Sequence, residues 1–263
     1  MIFCSMKFFS ESLEMCTEAY VLLPQRGTAG RIGDTNGEVG QGKFKCLYLL
    51  HGLSDDQSIW MRRTSIERYA EQYGIAVVMP FGGRSFYTDM KFGMRYYTYI
   101  AKELPARIAD TFNISTDRQD NFIAGLSMGG YGALRIALSA PERFGAAFAM
   151  SPLVDLARAI TRGNSAITPE EMRNVFGPPD EQAERGNDLL ALARKARTSD
   201  APPRIAVHTG TEDLLYNDGV CLCGELEKLA WPDLEYSLDA PGKHDWSYWS
   251  AQIPAMLEFF RKP

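Results

Sequence analysis

A serine hydroxyl becomes a nucleophile at neutral pH when an imidazole takes its proton and a carboxylate orients that imidazole. The residues for such chemistry are present. Ser127 stands in the run FIAGLSMGGYGALRIAL, residues 122–138, where one apolar stretch gives way to another with almost nothing left for a loop. The G-x-S-x-G pattern of Gly125, Ser127 and Gly129 is weak as a string. Its setting between a strand and a helix is what counts, because a strained turn there leaves the hydroxyl bare at the top of a sheet. Glycine on both sides lets the strand and helix backbones pass closely.

The chain has three histidines, so the base can be sought by elimination. In this arrangement the acid and then the histidine follow the serine. His51 ends the apolar stretch LYLLHG, well before Ser127. His208 lies inside RIAVHTG, where a core histidine with a satisfied ring is expected. His244 remains, in APGKHDWSYW, beyond the stretch LEYSLD and before the last helix. For the orienting acid, HTGTEDLLYND offers Glu212, Asp213 and Asp218. Asp213 is preferred because it ends a strand and turn. Asp218 falls in the first turn of the next helix, a favourable place for a carboxylate, and Glu212 stays open as the alternative. Two N–H groups are expected to hold the developing oxyanion: that of Met128, directly after the nucleophile, and that of Leu53 in the loop HGL. Without the serine turn, HGL would read as the plain end of a strand.

The elements that must position these residues alternate. Strands are expected at CLYLLHG, IAVVMP, NFIAG, FGAAFAM, RIAVHTG and LEYSLD, each a short apolar run bounded by Gly, Pro or Asp, as in strands buried on both faces of a parallel sheet. Helical patterns stand between them; Ile66, Tyr69, Ala70 and Tyr73 share one face and stop at Gly74, a good C-cap. The reading is an α/β three-layer architecture, one domain over residues 1–263. Residues 24–43, rich in glycine, read as a long surface loop after an N-terminal antiparallel hairpin. Residues 152–203 interrupt the strand rhythm and read as a small helical cap insertion over the C-terminal sheet edge, where ligand crevices of such sheets lie.

Composition excludes several classes. With 263 residues and 45% hydrophobic content the chain can bury a large core. The 28 Lys and Arg stand against 33 Asp and Glu, giving a net charge of -5, and no basic cluster of the kind that tracks a phosphate backbone appears, so no nucleic acid is expected as partner. No run approaches the roughly 18 apolar residues that span a bilayer, and the N-terminus lacks a leader-like apolar stretch; no membrane association and a cytoplasmic location are expected. Five cysteines do not make a disulfide framework. Cys221 and Cys223, two apart on a helix, point about 200° apart and suit no shared metal. No metal site is expected there, and homo-oligomerisation is left open.

Taken together, HGLSDDQSIW, MPFGGRSFYTD, YYTYIAKELP, GLSMGGYGALRIAL, GTEDLLY and GKHDWSYW resemble the esterase D group of α/β-hydrolases, nearest the bacterial tributyrin esterases and related to S-formylglutathione hydrolases. The similarity runs over nearly the whole chain from Lys7. It implies the α/β-hydrolase fold with a mostly parallel sheet, and a cofactor-free carboxylesterase acting on short acyl chains of small-molecule esters. It assigns Ser127 as nucleophile, His244 as base, Asp213 as orienting acid, and the N–H groups of Leu53 and Met128 as the oxyanion hole. One departure bears on substrate: S-formylglutathione hydrolases commonly carry a cysteine after HGLT, whereas Asp55 follows HGLS here. Thioesterase, peptidase and acetyl- or feruloyl-esterase readings share the same residues, and a non-catalytic binding protein on this fold is the distant alternative. Phe86, Tyr87, Phe92, Tyr96, Tyr97, Trp246, Trp249 and Trp60 are candidates for an acyl pocket, while Asp89 is given no role. No long apolar helix in 152–203 suggests a deep lipid channel.

Overall fold

The computed structural model describes residues 1–26, 41–163 and 166–262. Its centre is an eight-stranded sheet in the order β1-β2-β4-β3-β5-β6-β7-β8. β1 (Ile2–Ser10) and β2 (Met15–Leu23) form the expected antiparallel hairpin, and β2 pairs antiparallel with β4 (Ala76–Pro80). From there every pairing is parallel, through β3 (Cys46–Leu50), β5 (Asn121–Leu126), β6 (Ala146–Met150), β7 (Arg204–His208) and β8 (Leu234–Ser237). All residues of β3, β4, β5 and β6 are buried. That is why these strands read as unbroken apolar runs rather than alternating ones.

Side chains of successive strand residues point to opposite faces, and the two cores follow. Tyr48, Leu50, Ile123, Ile205 and Val207 belong to one; Leu47, Leu49, Phe122, Ala124 and Phe148 belong to the other. The second face is covered by α1 (Ile59–Arg63), α2 (Ile66–Tyr73), α10 (Trp246–Ala251) and α11 (Ile253–Arg261). The first is covered by α3 (Tyr96–Thr98), which runs through a π-helical turn at Tyr99–Glu103 into α4 (Leu104–Thr111), and by α5 (Met128–Ser139), α8 (Leu189–Ala196) and α9 (Tyr216–Lys228). A buried Leu or Phe on either face contributes about 1.5–3 kcal/mol; Phe122 and Phe260 stack with ring centroids 4.8 Å apart. The C-cap expected at Gly74 is there: its φ is 61° and its N–H donates to the carbonyls of Ala70 and Glu71.

Between β6 and β7 the chain folds as α6 (Leu156–Arg162), α7 (Pro169–Phe176) and α8. Side-chain caps start each helix: Asp155 accepts from the N–H of Arg158, Thr168 from Glu171, and Asp188 from Leu190 and Ala191. The helical segment that ends at Thr111 begins at Tyr96, where Asp89 accepts from both the N–H and the hydroxyl of Thr98 and so braces its first turn. Most of the glycine-rich stretch 24–43 lies outside the described residues. No described helix is long and apolar enough to cross a membrane.

Candidate active site

Ser127 joins β5 to α5 at φ 54° and ψ −116°, a conformation that costs a non-glycine residue about 1–3 kcal/mol. The neighbouring glycines make the bend sterically feasible. A Cβ on Gly125 would stand 2.4 Å from the carbonyl carbon of Gly129, and one on Gly129 would stand 2.6 Å from the carbonyl oxygen of Leu50. Both clashes are with backbone, so nothing nearby can swing aside. The Ser127 N–H donates to Met150 O at 2.8 Å and its carbonyl accepts from Tyr131 at 3.0 Å. These bonds hold the strained turn between the neighbouring strand and the first turn of α5.

His244 reaches this serine from the loop after β8: its Nε2 is 3.0 Å from Ser127 Oγ. Its Nδ1 lies 2.9 Å and 3.1 Å from the two carboxylate oxygens of Asp213. The loops carrying the acid and the histidine are tied to each other. Thr211 N–H donates to Ala240 O and Glu212 N–H to Gly242 O, each at 3.0 Å, and a Cβ on Gly210 would meet the Gly242 carbonyl oxygen at 2.4 Å. The side chain of Asp213 has no solvent exposure. Burial opposes its charge, yet hydrogen bonds from His244, from the Leu215 N–H and from Ser151 outweigh that and hold its carboxyl below the usual range. Trp249 stands edge-on to the His244 ring at 4.9 Å, and its indole N–H donates to Ser151 Oγ at 3.1 Å. Ser151 and Trp249 thus steady the acid and the imidazole together.

The alternatives fall elsewhere. Glu212 is exposed, 3.8 Å from Lys243, and is not bonded to His244. Asp218 sits in the first turn of α9, as expected, and accepts from the N–H groups of Val154 and Asp155 and from Arg158, fastening the start of α6 to the core. His208 is satisfied by Gln252 at 2.8 Å.

Leu53 and Met128 both border the same cavity as Ser127. Among the described residues neither N–H donates to a protein acceptor; at Met128 this follows from its place at the start of α5. His51 sets the Leu53 peptide. Its Nε2 accepts from the Gly82 N–H at 2.8 Å and its Nδ1 lies 2.7 Å from Gly52 O, so the proton sits on Nδ1 and is donated to that carbonyl. The described chain has no cis peptide, and in a trans peptide N–H and C=O point opposite ways. With the Gly52 carbonyl drawn to His51, the Leu53 N–H is turned away from it. Burial above all, against the hydrogen bond to Gly52, lowers the His51 pKa to about 4, so its ring stays neutral at pH 7. Tyr87 donates to His51 O at 2.9 Å and completes the support.

The cavity has a volume of about 630 Å³. Leu53, Ser127 and Met128 border it from the strand ends, and Leu153, Ile167 and Met172 from the segment between β6 and β7. Of the candidate aromatics, Phe86, Trp246 and Trp249 border this cavity. Trp60, Tyr87 and Tyr96 are buried in the cores, Tyr97 borders a different cavity, and Phe92 is 69% exposed. Asp55 places a half-buried carboxyl in the wall, and burial raises its pKa. Sequence reasoning missed His51, Ser151 and the placement of Asp55. Only the short spacing of His51 from Leu53 in HGL was there to suggest the first.

A family model described as putative esterase matches residues 10–260. An acetyl esterase of Caldicellulosiruptor saccharolyticus is 29% identical over 268 residues, covering 100% of this chain and 99% of that protein. Among solved structures, the fluorophosphonate-binding serine hydrolase FphF of Staphylococcus aureus is similar with a TM-score of 0.87 and 30% identity, covering 100% of this chain and 99% of its own. The S-formylglutathione hydrolase FrmB of the same organism is similar with a TM-score of 0.84 and 31% identity, over 98% of each chain.

Proposed function

The chain belongs to the putative esterase family, as an esterase D-type α/β-hydrolase with the chemistry of a serine esterase, and from that premise we propose that it hydrolyses short-chain acyl esters through a Ser127–His244–Asp213 triad. One observation carries the reading: a continuous chain of contacts from Ser127 Oγ to His244 at 3.0 Å and from His244 to Asp213 at 2.9 Å. His244 takes the proton as Ser127 attacks the ester carbonyl. Ionised Asp213 keeps the imidazole in the tautomer with its proton on Nδ1 and stabilises the imidazolium that forms. The N–H groups of Leu53 and Met128 receive the oxyanion, each worth about 3 kcal/mol in the transition state. The C–O bond to the alcohol breaks, His244 protonates the leaving oxygen, and an acyl-serine remains. Water, deprotonated by His244, then attacks the acyl carbon; the acid departs and the serine recovers its proton.

One folding unit supplies every part. The three side chains come from the loops after β5, β7 and β8, and residues 152–203 furnish the cap-side wall. A 630 Å³ space of mostly apolar lining, shared by the acyl and alcohol portions, takes small esters with apolar acyl groups, and the likeness to an acetyl esterase supports short acyl chains. A thioester reading is favoured by the likeness to FrmB. Against it, Asp55, whose half-buried carboxyl stands in the wall, replaces the cysteine that S-formylglutathione hydrolases commonly carry at this place. The test is hydrolysis of p-nitrophenyl acetate, butyrate and octanoate beside S-formylglutathione, by wild type and Ser127→Ala. Serine-dependent turnover that falls from butyrate to octanoate is expected. Dominant turnover of the thioester would move the protein to the formylglutathione branch, and turnover retained in Ser127→Ala would remove the mechanism.

A further inference from the structure

A second cavity, of about 290 Å³, lies at the far end of α5, bordered by Arg135 and Ser139 of that helix, by Arg185, and by Lys195 and Ser199 at the end of α8. Its charge is one-sided. Among the described residues three cations border it and no carboxylate does, in a chain whose net charge is -5. Arg135 is only 5% exposed. Its guanidinium lies 4.3 Å above the Tyr97 ring, and its Nε donates to the neutral amide oxygen of Asn187 at 3.1 Å. Among the described residues neither Arg135, Arg185 nor Lys195 forms an ion pair with a carboxylate. Among the described residues Arg135 Nη1, Arg185 Nε and Ser199 Oγ are buried polar atoms with no hydrogen-bond partner, while Arg185 Nη2 donates to the Asp89 carbonyl at 3.3 Å.

A buried guanidinium without a counter-charge costs several kcal/mol, and unpaired buried donors add to that. Local dipoles do not remove the imbalance. The C-termini of α5 and α8 face this region and each carries about half a negative charge, which leaves most of three positive charges unanswered. Glu142 and Asp89 both act electrostatically on the Tyr97 hydroxyl, but among the described residues neither pairs with these cations: Glu142 is exposed and the Asp89 carboxylate is engaged by Thr98. We propose that this cavity binds a small oxyanion, a phosphate or carboxylate group carried by a small molecule, with Arg135 and Arg185 as its principal donors and Lys195 at the rim. Guanidinium groups bind such groups through paired N–H donors, and the Tyr97 ring with Leu138 and Leu192 offers an apolar surface for the remainder of the ligand.

The full-length protein is titrated calorimetrically with inorganic phosphate and, separately, with succinate, each against sodium chloride at matched ionic strength. Saturable binding of either anion is expected, weakened at least 10-fold in Arg185→Ala and Lys195→Ala and unchanged in Ser127→Ala. Phosphate alone saturating the site assigns a phosphate-bearing ligand, and succinate alone a carboxylate-bearing one; each outcome supports the site. Arg135→Gln removes the buried donor, but it lies between helices, so the half-exposed Arg185 and exposed Lys195 carry the test should that variant fail to fold. No saturable binding of either anion, or binding of equal strength in Arg185→Ala and Lys195→Ala, overturns the proposal. Because binding is read in Ser127→Ala as well, failure here is separate from failure of the esterase reading.

Discussion

The two ends of helix α5 are built on opposite principles. At its N-terminus the polar side chains of the candidate site are joined to one another: Ser127 to His244, His244 to Asp213, and Asp213 to the Leu215 N–H. Near its C-terminus Arg135 has a neutral partner and a ring, with donors left over beside Arg185 and Ser199. The contrast separates two ways a protein holds charge. A site that performs chemistry on a transient oxyanion keeps its titrating groups mutually paired and leaves only backbone N–H groups open. A site that holds a permanent anion must keep formal charges open, at a cost in stability that the ligand offsets.

Five substitutions at the first end and two at the second test that contrast. Ser127→Ala removes the proposed nucleophile, and kcat for p-nitrophenyl butyrate should fall about 10⁵- to 10⁶-fold with the circular dichroism of the folded protein retained. Asp213→Asn should lower kcat about 10⁴-fold by allowing the wrong imidazole tautomer, while Glu212→Gln should change it less than about 2-fold, in keeping with its exposed position. Equal losses in both variants would undo the assignment of Asp213.

His51 gives a stability effect with a definite sign. Its pKa in the folded protein is about 4, lowered from 6.5, so between those values the unfolded chain binds the proton more readily. Stability supplied by the neutral buried ring is complete above about pH 6.5, is lost as pH falls toward 4, and changes no further below that; the total is about 3 kcal/mol. Urea midpoints of wild type and His51→Gln across this range should converge on acidification. Parallel curves would show that the ring does not titrate as its burial implies. Trp249→Phe keeps the edge contact to His244 but deletes the donor to Ser151, a loss of about 1 kcal/mol; if it is felt in the transition state, kcat falls about 5-fold. Smallest of all, Arg185→Ala and Lys195→Ala should leave ester turnover within about 2-fold of wild type while altering anion binding. A large loss of turnover would join the two ends of α5 into one functional unit.

Much of the arrangement was legible in the chain because its signals are local or follow chain order. Gly125, Ser127 and Gly129 lie within five residues, and the close approach they permit involves the strand and helix directly on either side. Unbroken apolar runs announced the buried parallel strands, and three histidines left His244 by elimination. The acid was preferred to Glu212 on its position alone, and the tertiary structure puts Asp213, not Glu212, against His244.

What the chain could not disclose depends on contacts between residues remote in sequence. His51 looked like the end of a strand until Gly82, 31 residues on, donated to its ring. Ser151 and Trp249 are 98 residues apart and meet only because β6 and α10 pack at the same end of the sheet. The aromatics divided between pocket, core and surface by packing, which residue type does not specify; Phe92 is exposed and Trp60 fully buried. Arg135 is one charged position in an otherwise apolar helix, and only the folding of residues 185–199 against it closes a cavity around its charge. A tight turn imposes its steric demand on immediate neighbours and so is written in adjacent residues. Burial, pairing and cavity shape are set by whichever segments the fold brings together, and so belong to the tertiary structure.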